Sequence, residues 1–283
     1  MRYKKPKFMS NGTLHWDKFG YEFSTPPDID LLSDSALCND NPWVVFSAVL
    51  EHLKLGQFSS ISVLHNIIQS TDDGILRECC AELIGDAGSI SVIENFTKEF
   101  SVEIFDTNRP IRQIELCIAF RQSMLLCTVP IMLKAYLLST DRRETNILRV
   151  YLSHLLEPEF GDIACSLVPD ETYQDIVMSK YRELKEAFQS DNIPVLYGSL
   201  FSVGNLARRM RTELATSPVN ETNILRMRHH LEASTAYNCS SFYKHESFQP
   251  LNAAALIEDF IDNPENMKYQ EGQRYFYGHN IPE

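Results

Sequence analysis

From Asn41 to Asn263 the chain repeats one pattern eleven times: apolar residues at helical spacing, nearly always over roughly three to five helical turns, then a short polar turn. "NPWVVFSAVLEHL" shows it first, with Asn41 as N-cap, Pro42 at the first helical position, and Val45, Val49, Leu50 and Leu53 on one stripe. Another instance is "DDGILRECCAELIGDAG", which Gly85 and Gly88 are expected to close. No stretch alternates convincingly enough to be a strand. Helices this short are marginal alone, so consecutive ones have to stack, as they do in bundles and α-solenoids. The expected fold is therefore all-α, an α-solenoid of stacked antiparallel helix pairs. Its expected parts are an irregular segment over 1–40, a helical domain over 41–263 and a capping tail over 264–283.

Ile-Leu-Arg occurs at Ile75, Ile147 and Ile224, and the last two copies share the longer word Glu-Thr-Asn-Ile-Leu-Arg. The second copy follows the first by 147 − 75 = 72 positions, and the third follows the second by 224 − 147 = 77. Each interval is about twice the length of a helix-pair repeat of roughly 34 to 47 residues. Two explanations stand side by side: descent from a repeated unit, or two helix starts that use the same acidic and capping chemistry.

Of 283 residues 44% are apolar, enough for a sizeable core, and only 13 are Pro and 11 Gly, which favours long structured elements. The acidic excess is 38 − 26 = 12 charges, which argues against a broad phosphate-binding surface and favours a basic partner, if any. Seven cysteines include no C-x-x-C pair, and most sit among apolar residues, as in a reducing compartment. The basic start "MRYKKPKFMSNGTLHW" is followed by no apolar core of a signal peptide, and Pro130 and Lys134 interrupt the most apolar stretch, Ser123 to Leu138. A cytoplasmic protein without a membrane partner is expected.

"DDGILRECCAELIGDAGSISVIENFTKEF" resembles a HEAT-type repeat: a polar turn, an aliphatic-Arg step, small residues Cys79, Cys80 and Ala81 facing a partner helix, a Leu-Ile-Gly exit and a second helix. The C-terminal stretch is more particular. "ILRMRHHLEASTAYNCSSFYKHESFQPLNAAALIEDF" with "YQEGQRYFYGHNIP" resembles the ending of HEAT-like proteins of bacterial polymorphic-toxin systems, many of which are immunity proteins. The resemblance is carried by Leu231 to Thr235, Cys239, Phe248, Pro250, Leu251, Ala253 to Ala255, Glu258 to Phe260, Arg274 to Phe276, Gly278, His279, Ile281 and Pro282, and departs at Tyr277 and Asn280. It implies a HEAT-like fold and a protein that neutralises a cognate toxin by occluding its active surface.

Residues that could carry chemistry form no recognisable set. His229 and His230 are adjacent, so one helix cannot aim both at one metal, and a surface or turn role is expected for them. No nucleophile elbow or cysteine signature is present, and "LIGDAGSIS" lacks the spacing of a phosphate loop. Neither a catalytic set, a cofactor nor a metal is expected. Arg208, Arg209, Arg211, Arg226 and Arg228 form a basic cluster, which HEAT-fold DNA glycosylases would use as a nucleic-acid face; ion pairing with Glu213, Glu221 and Glu232 is the favoured reading. Acidic residues gather at Asp28, Asp30, Asp34 and Asp40, at Glu157, Glu159 and Asp162, at Asp170, Glu171 and Asp175, and at Glu258, Asp259, Asp262 and Glu265. Solvated helix starts account for them, or an acidic rim that steers a basic toxin. The expected partner-binding residues are Glu157, Glu159, Asp162, Asp170, Glu171, Asp175, Arg208, Arg209, Arg226 and Arg228. Aromatics in the tail, Tyr269, Tyr275, Phe276 and Tyr277, are expected to dock back on the last helices. The alternatives to an immunity protein are a nucleic-acid-acting HEAT-fold enzyme and a general protein scaffold.

Overall fold

A computed structural model of the chain describes residues 29–101, 113–157, 169–244 and 247–283. The α-helices among the described residues are α1 (Asp34–Leu37), α2 (Pro42–Lys54), α3 (Ser62–Ser70), α4 (Gly74–Ala87), α5 (Ile90–Ser101) and α6 (Gln113–Ser123). They continue with α7 (Val129–Leu138), α8 (Arg142–Leu156), α9 (Asp170–Phe188), α10 (Val203–Leu214), α11 (Glu221–Thr235) and α12 (Pro250–Asp262). Extended backbone among the described residues is limited to three small antiparallel hairpins. These are β1–β2 (Val195–Leu196 with Ser199–Leu200), β3–β4 (Tyr243–Lys244 with Ser247–Phe248) and β5–β6 (Tyr275–Phe276 with His279–Asn280). The fold is thus all-α and solenoid-like, each helix packing on others near it in sequence: α3 on α4, α4 on α6, α7 on α8, α10 on α11 and α12.

Contacts divide the chain into two compact units. A terminal unit takes the described residues up to Ser60 together with Ser202–Ile281, and a central unit takes Ile61–Phe201 with Pro282–Glu283. In the terminal unit, α2 starts as its residues dictate: the Asn41 side chain accepts from the Trp43 N–H at 3.0 Å, with Pro42 next to it. Trp43, Phe46, Val49, Leu50 and Leu53 are then buried.

In the central unit, α4 is buried along almost its whole length. Its cap Asp73 accepts from the N–H groups of Ile75 (3.1 Å) and Leu76 (3.3 Å). Of the two glycines expected to end this helix, only Gly88 does; Gly85 lies inside it. A Cβ at Gly85 would stand 2.5 Å from the Ala119 carbonyl oxygen and 2.6 Å from Gln122 Cβ, so a bare backbone is what lets α4 and α6 come together. Accordingly α4 packs more extensively on α6 than on α5, the helix that the HEAT-type reading paired with it.

The architecture repeats itself at a spacing other than that of the shared word. Helices α8 and α11 are both 15 residues long, and their N-caps, Asp141 and Asn220, are 220 − 141 = 79 residues apart. The next helices, α9 and α12, start 250 − 170 = 80 residues apart, and hairpins β1–β2 and β5–β6 start 275 − 195 = 80 residues apart. Each hairpin turns on a Tyr-Gly pair with both residues at positive φ: 53° and 69° at Tyr197 and Gly198, 51° and 79° at Tyr277 and Gly278. These are the dihedrals that a tight two-residue hairpin turn demands. The turn N–H groups satisfy last-turn carbonyls that a helix end leaves open. Tyr197 and Gly198 donate to His154 (2.6 Å) and Leu155 (2.9 Å) of α8, and Tyr277 and Gly278 to Ala233 (2.7 Å) and Ser234 (2.8 Å) of α11. Even the closing bonds match, Phe201 N–H to Pro194 oxygen (2.8 Å) and Ile281 N–H to Arg274 oxygen (3.0 Å).

Glu-Thr-Asn-Ile-Leu-Arg does not keep step with this repeat. Glu144 is the third residue of α8, behind the cap Asp141, whereas Glu221 is the first residue of α11, behind the cap Asn220. As a result Leu148 is the buried member of the Ile-Leu pair in α8, and Ile224 is the buried one in α11. The word is a helix-start feature in both places, and the structural repeat runs beside it at its own, slightly longer spacing.

Candidate functional site

In the central unit the expected acidic positions separate by burial. Asp170, Glu171 and Asp175 lie exposed on the first turns of α9, where negative charge also suits the helix dipole. Glu157 does not join them: it is 6% exposed and its carboxylate accepts from Ser153 Oγ, so it closes the end of α8 instead of lining a rim. Glu159 and Asp162 lie outside the described residues.

Asp170 is also tied to a polar knot. Tyr136 OH donates to Asp170 Oδ1 at 2.7 Å, and Arg149 Nε donates to Tyr136 OH at 3.1 Å. The Arg149 guanidinium lies 4.4 Å from the centre of the Tyr173 ring and 5.2 Å from that of Tyr136. Burial pushes both tyrosine hydroxyls above their ordinary pKa, and the bond to Asp170 adds to the shift at Tyr136. An always-charged guanidinium held between two neutral phenols fixes α7, α8 and α9 to one another.

In the terminal unit the five arginines do not share one surface. Arg208 is exposed and its Nη1 donates to Asn205 Oδ1 at 2.7 Å; Arg209 and Arg226 are half-buried. Arg211 pairs across helices with Glu258 at 3.5 Å, and not with the nearer glutamates in sequence. Arg228, expected at a partner-binding face, is only 1% exposed and pairs with Glu232 one turn on, at 3.0 Å, so an incoming surface cannot reach it. Glu232 Oε1 accepts from the Cys239 N–H as well, at 3.0 Å, and thereby holds the loop that follows α11. Burial pushes the Glu232 carboxyl up to about 7, against the opposing pull of Arg228 and of that N–H. Beside this pair, Tyr243 OH donates to Glu221 Oε1 at 3.1 Å.

His229 and His230, expected at the surface, are buried, with ring centres 5.8 Å apart. No group of three or more His, Cys, Asp or Glu among the described residues is placed to hold a metal ion. Cys79, Cys80, Cys117 and Cys239 are buried and their thiols are shifted upward by burial, which keeps them protonated and unreactive; Cys165 and His245 lie outside the described residues. No helix among the described residues is long and apolar enough to cross a membrane.

In the terminal unit the outer side of α12 is open to solvent. Glu258, Asp259 and Asp262 are exposed there, with Glu265 just beyond its end. Between α10 and the end of α12 lies a pocket of about 250 Å³, with Ala207, Phe260 and Met267 as apolar lining and Arg208 at its polar side. Two large apolar side chains stand out, Leu251 at 84% exposure and Met267 at 86%. The sequence pattern absorbs Leu251 into an apolar helix, yet Ala253, Ile257 and Phe260 are the buried stripe, and two steps of about 100° put Leu251 about 200° away from Ala253. Comparison of the chain with protein-family models, with curated proteins and with solved structures finds no significant match.

Proposed function

We propose that this chain is a non-catalytic protein-binding protein of the cytoplasm, the immunity partner of a bacterial toxin, and that it neutralises the toxin by covering its active surface. One observation carries the reading: charged groups gathered inside each unit engage one another, while α9 and α12, which hold equivalent places in the repeat, each present a group of exposed carboxylates. A buried Arg–Glu pair ties structure together, and an open row of carboxylates steers a basic partner and raises its rate of encounter. The acidic excess of 12 charges acts in the same sense. The toxin as partner is supported by the resemblance of the C-terminal stretch. Co-expression tests it: cells producing the cognate toxin domain survive when this protein is present, and a complex co-purifies. Continued killing with no complex ends the idea.

A HEAT-fold enzyme acting on nucleic acid draws on the same arginines, and the burial of Arg228 removes one of them from any such face. Filter binding at low salt separates the two readings, since retention of duplex or single-stranded DNA would favour the enzyme.

A further inference from the structure

We infer that the pocket between α10 and the end of α12 binds a carboxylate that carries one apolar side chain, its charged end held by Arg208 at the start of α10 and its apolar body lying against Phe260 and Met267; this site does not depend on the protein-binding reading above.

The repeat supplies a control within the chain. Helices α7 and α10 hold equivalent places, each preceding and packing on the 15-residue helix of its own repeat. In the central unit the entry to α7 is closed by chain: the N–H groups of Leu126 and Cys127 donate to the carbonyl oxygens of Ile193 (3.0 Å) and Asp191 (2.7 Å), in the segment between α9 and its hairpin. Glu271 stands one repeat on from Asp191, 271 − 191 = 80, and meets α10 through a side chain, Asn205 Nδ2 donating to Glu271 Oε1 at 3.4 Å. The N–H of Gly204, the second residue of α10, has no hydrogen-bond partner among the described residues, and Gly204 lines the pocket of about 250 Å³. Where one repeat supplies carbonyl oxygens, the other leaves donors facing a cavity.

Those donors surround one gap. A Cβ at Gly204 would have as its nearest neighbours the two terminal nitrogens of Arg208, at 3.7 and 3.8 Å, and Ser202 Oγ at 3.8 Å. An exposed arginine is ordinary, but this one turns its guanidinium back over the start of its own helix, where the backbone is already positive. No acidic residue stands in the first turn of α10, and Arg208 has no carboxylate partner among the described residues. Asn205 stands between it and Glu271, its Oδ1 accepting from Arg208 Nη1 at 2.7 Å. A carboxylate entering the gap meets the guanidinium fork, the Gly204 N–H and the Ser202 hydroxyl together.

Behind the donors the lining is hydrocarbon, with Ala207, Phe260 and Met267. The two amides there are engaged by the chain: Asn263 Oδ1 accepts from the Glu265 N–H at 3.0 Å, and Asn266 Nδ2 donates to the Phe260 oxygen at 2.7 Å. About 250 Å³ is at the small end of ligand sites, which run from roughly 300 Å³ upward, and suits a molecule the size of one amino-acid residue. Such a carboxylate comes from a free small acid or from the C-terminal residue of a polypeptide.

Isocaproate, N-acetylleucine and the neutral N-acetylleucine amide are titrated against the full chain, with the backbone amide resonances at the start of α10 as readout. Saturable shifts with a Kd of about 1 mM are expected for one or both acids, and binding about tenfold weaker or less for the amide. Arg208→Gln is expected to weaken acid binding about tenfold, and Gly204→Ala, whose methyl enters the gap at ordinary contact distances, to abolish it with the fold intact. Equal binding of the two acids identifies a free acid as the source; a preference of about tenfold for N-acetylleucine identifies a polypeptide C-terminus. No shift with either acid up to about 10 mM, equal binding of the amide, or unchanged binding in the two variants overturns the inference.

Discussion

Gly278 donates its backbone N–H to the carbonyl oxygen of Ser234 at 2.8 Å, and one repeat earlier Gly198 does the same to Leu155 at 2.9 Å. A hairpin turn thus closes a helix end twice in one chain. Gly278 sits at φ 79°, where a Cβ finds ordinary contact distances, the nearest being 3.5 Å to Tyr269 OH, so the cost of a side chain comes from the backbone alone. Gly278→Ala is expected to lower unfolding free energy by about 1 kcal/mol in a urea titration.

Ala236 holds the left-handed position after α11, at φ 59°, and donates to the Glu232 carbonyl at 2.8 Å. Glycine takes that conformation without the steric cost that alanine carries. Ala236→Gly is therefore expected to stabilise the protein by about 1 kcal/mol, seen as a higher urea midpoint with an unchanged slope.

Gly85→Ala should act the other way and harder. Its new methyl would meet backbone at 2.5 Å, which flexible side chains cannot relieve. A loss of about 2 kcal/mol or more is expected, read as a fall in melting temperature, with Gly204→Ala, whose nearest neighbour would be 3.7 Å away, as a control.

Glu232 makes stability depend on pH. Its carboxyl titrates near 7 in the folded protein against an ordinary 4.5, so the folded state keeps a proton that the unfolded chain releases. Stability from this group is full below about 4.5, declines as pH rises towards 7 and is flat above; the span is on the order of 3 kcal/mol. Urea titrations across this range should show the slope. Glu232→Gln cannot ionise, so this part of the slope should be absent and the variant should gain on the natural protein as pH rises from about 4.5 to 7.

How much of this is readable from sequence differs from residue to residue. The helices announce themselves through local chemistry: Asn41 caps where it is expected to, because capping depends on a few neighbouring atoms. Gly85 misleads because a glycine near a helix end looks like a stop, and only a second helix well along the chain, around Ala119, gives it another purpose. Arg228, His229 and His230 mislead for a related reason. The pairing of Arg228 with Glu232 is readable from their spacing and is present, but the covering loop at Cys239 that helps take such basic residues out of solvent is not readable. The hairpins escape a search for periodicity altogether, since two-residue strands have no period to detect. Their signal is present as Tyr-Gly at 197–198 and again at 277–278, but a dipeptide draws less notice than the six-letter word beside it.

The division of the chain into a terminal and a central unit bears on how the protein is made. The ribosome emits the first part of the terminal unit, ending at Ser60, and then everything from Ile61 through Phe201 before the rest of that unit begins at Ser202. At roughly 5–20 residues per second this is a wait on the order of 10 s, during which nearly all of the central unit is made and α2 lacks Ser202–Ile281, the rest of its own unit. Lys54 at the end of α2, which lies 5.4 Å from the centre of the Tyr277 ring in the finished protein, spends that interval without it. The order of synthesis makes the terminal unit the later of the two to acquire its native form.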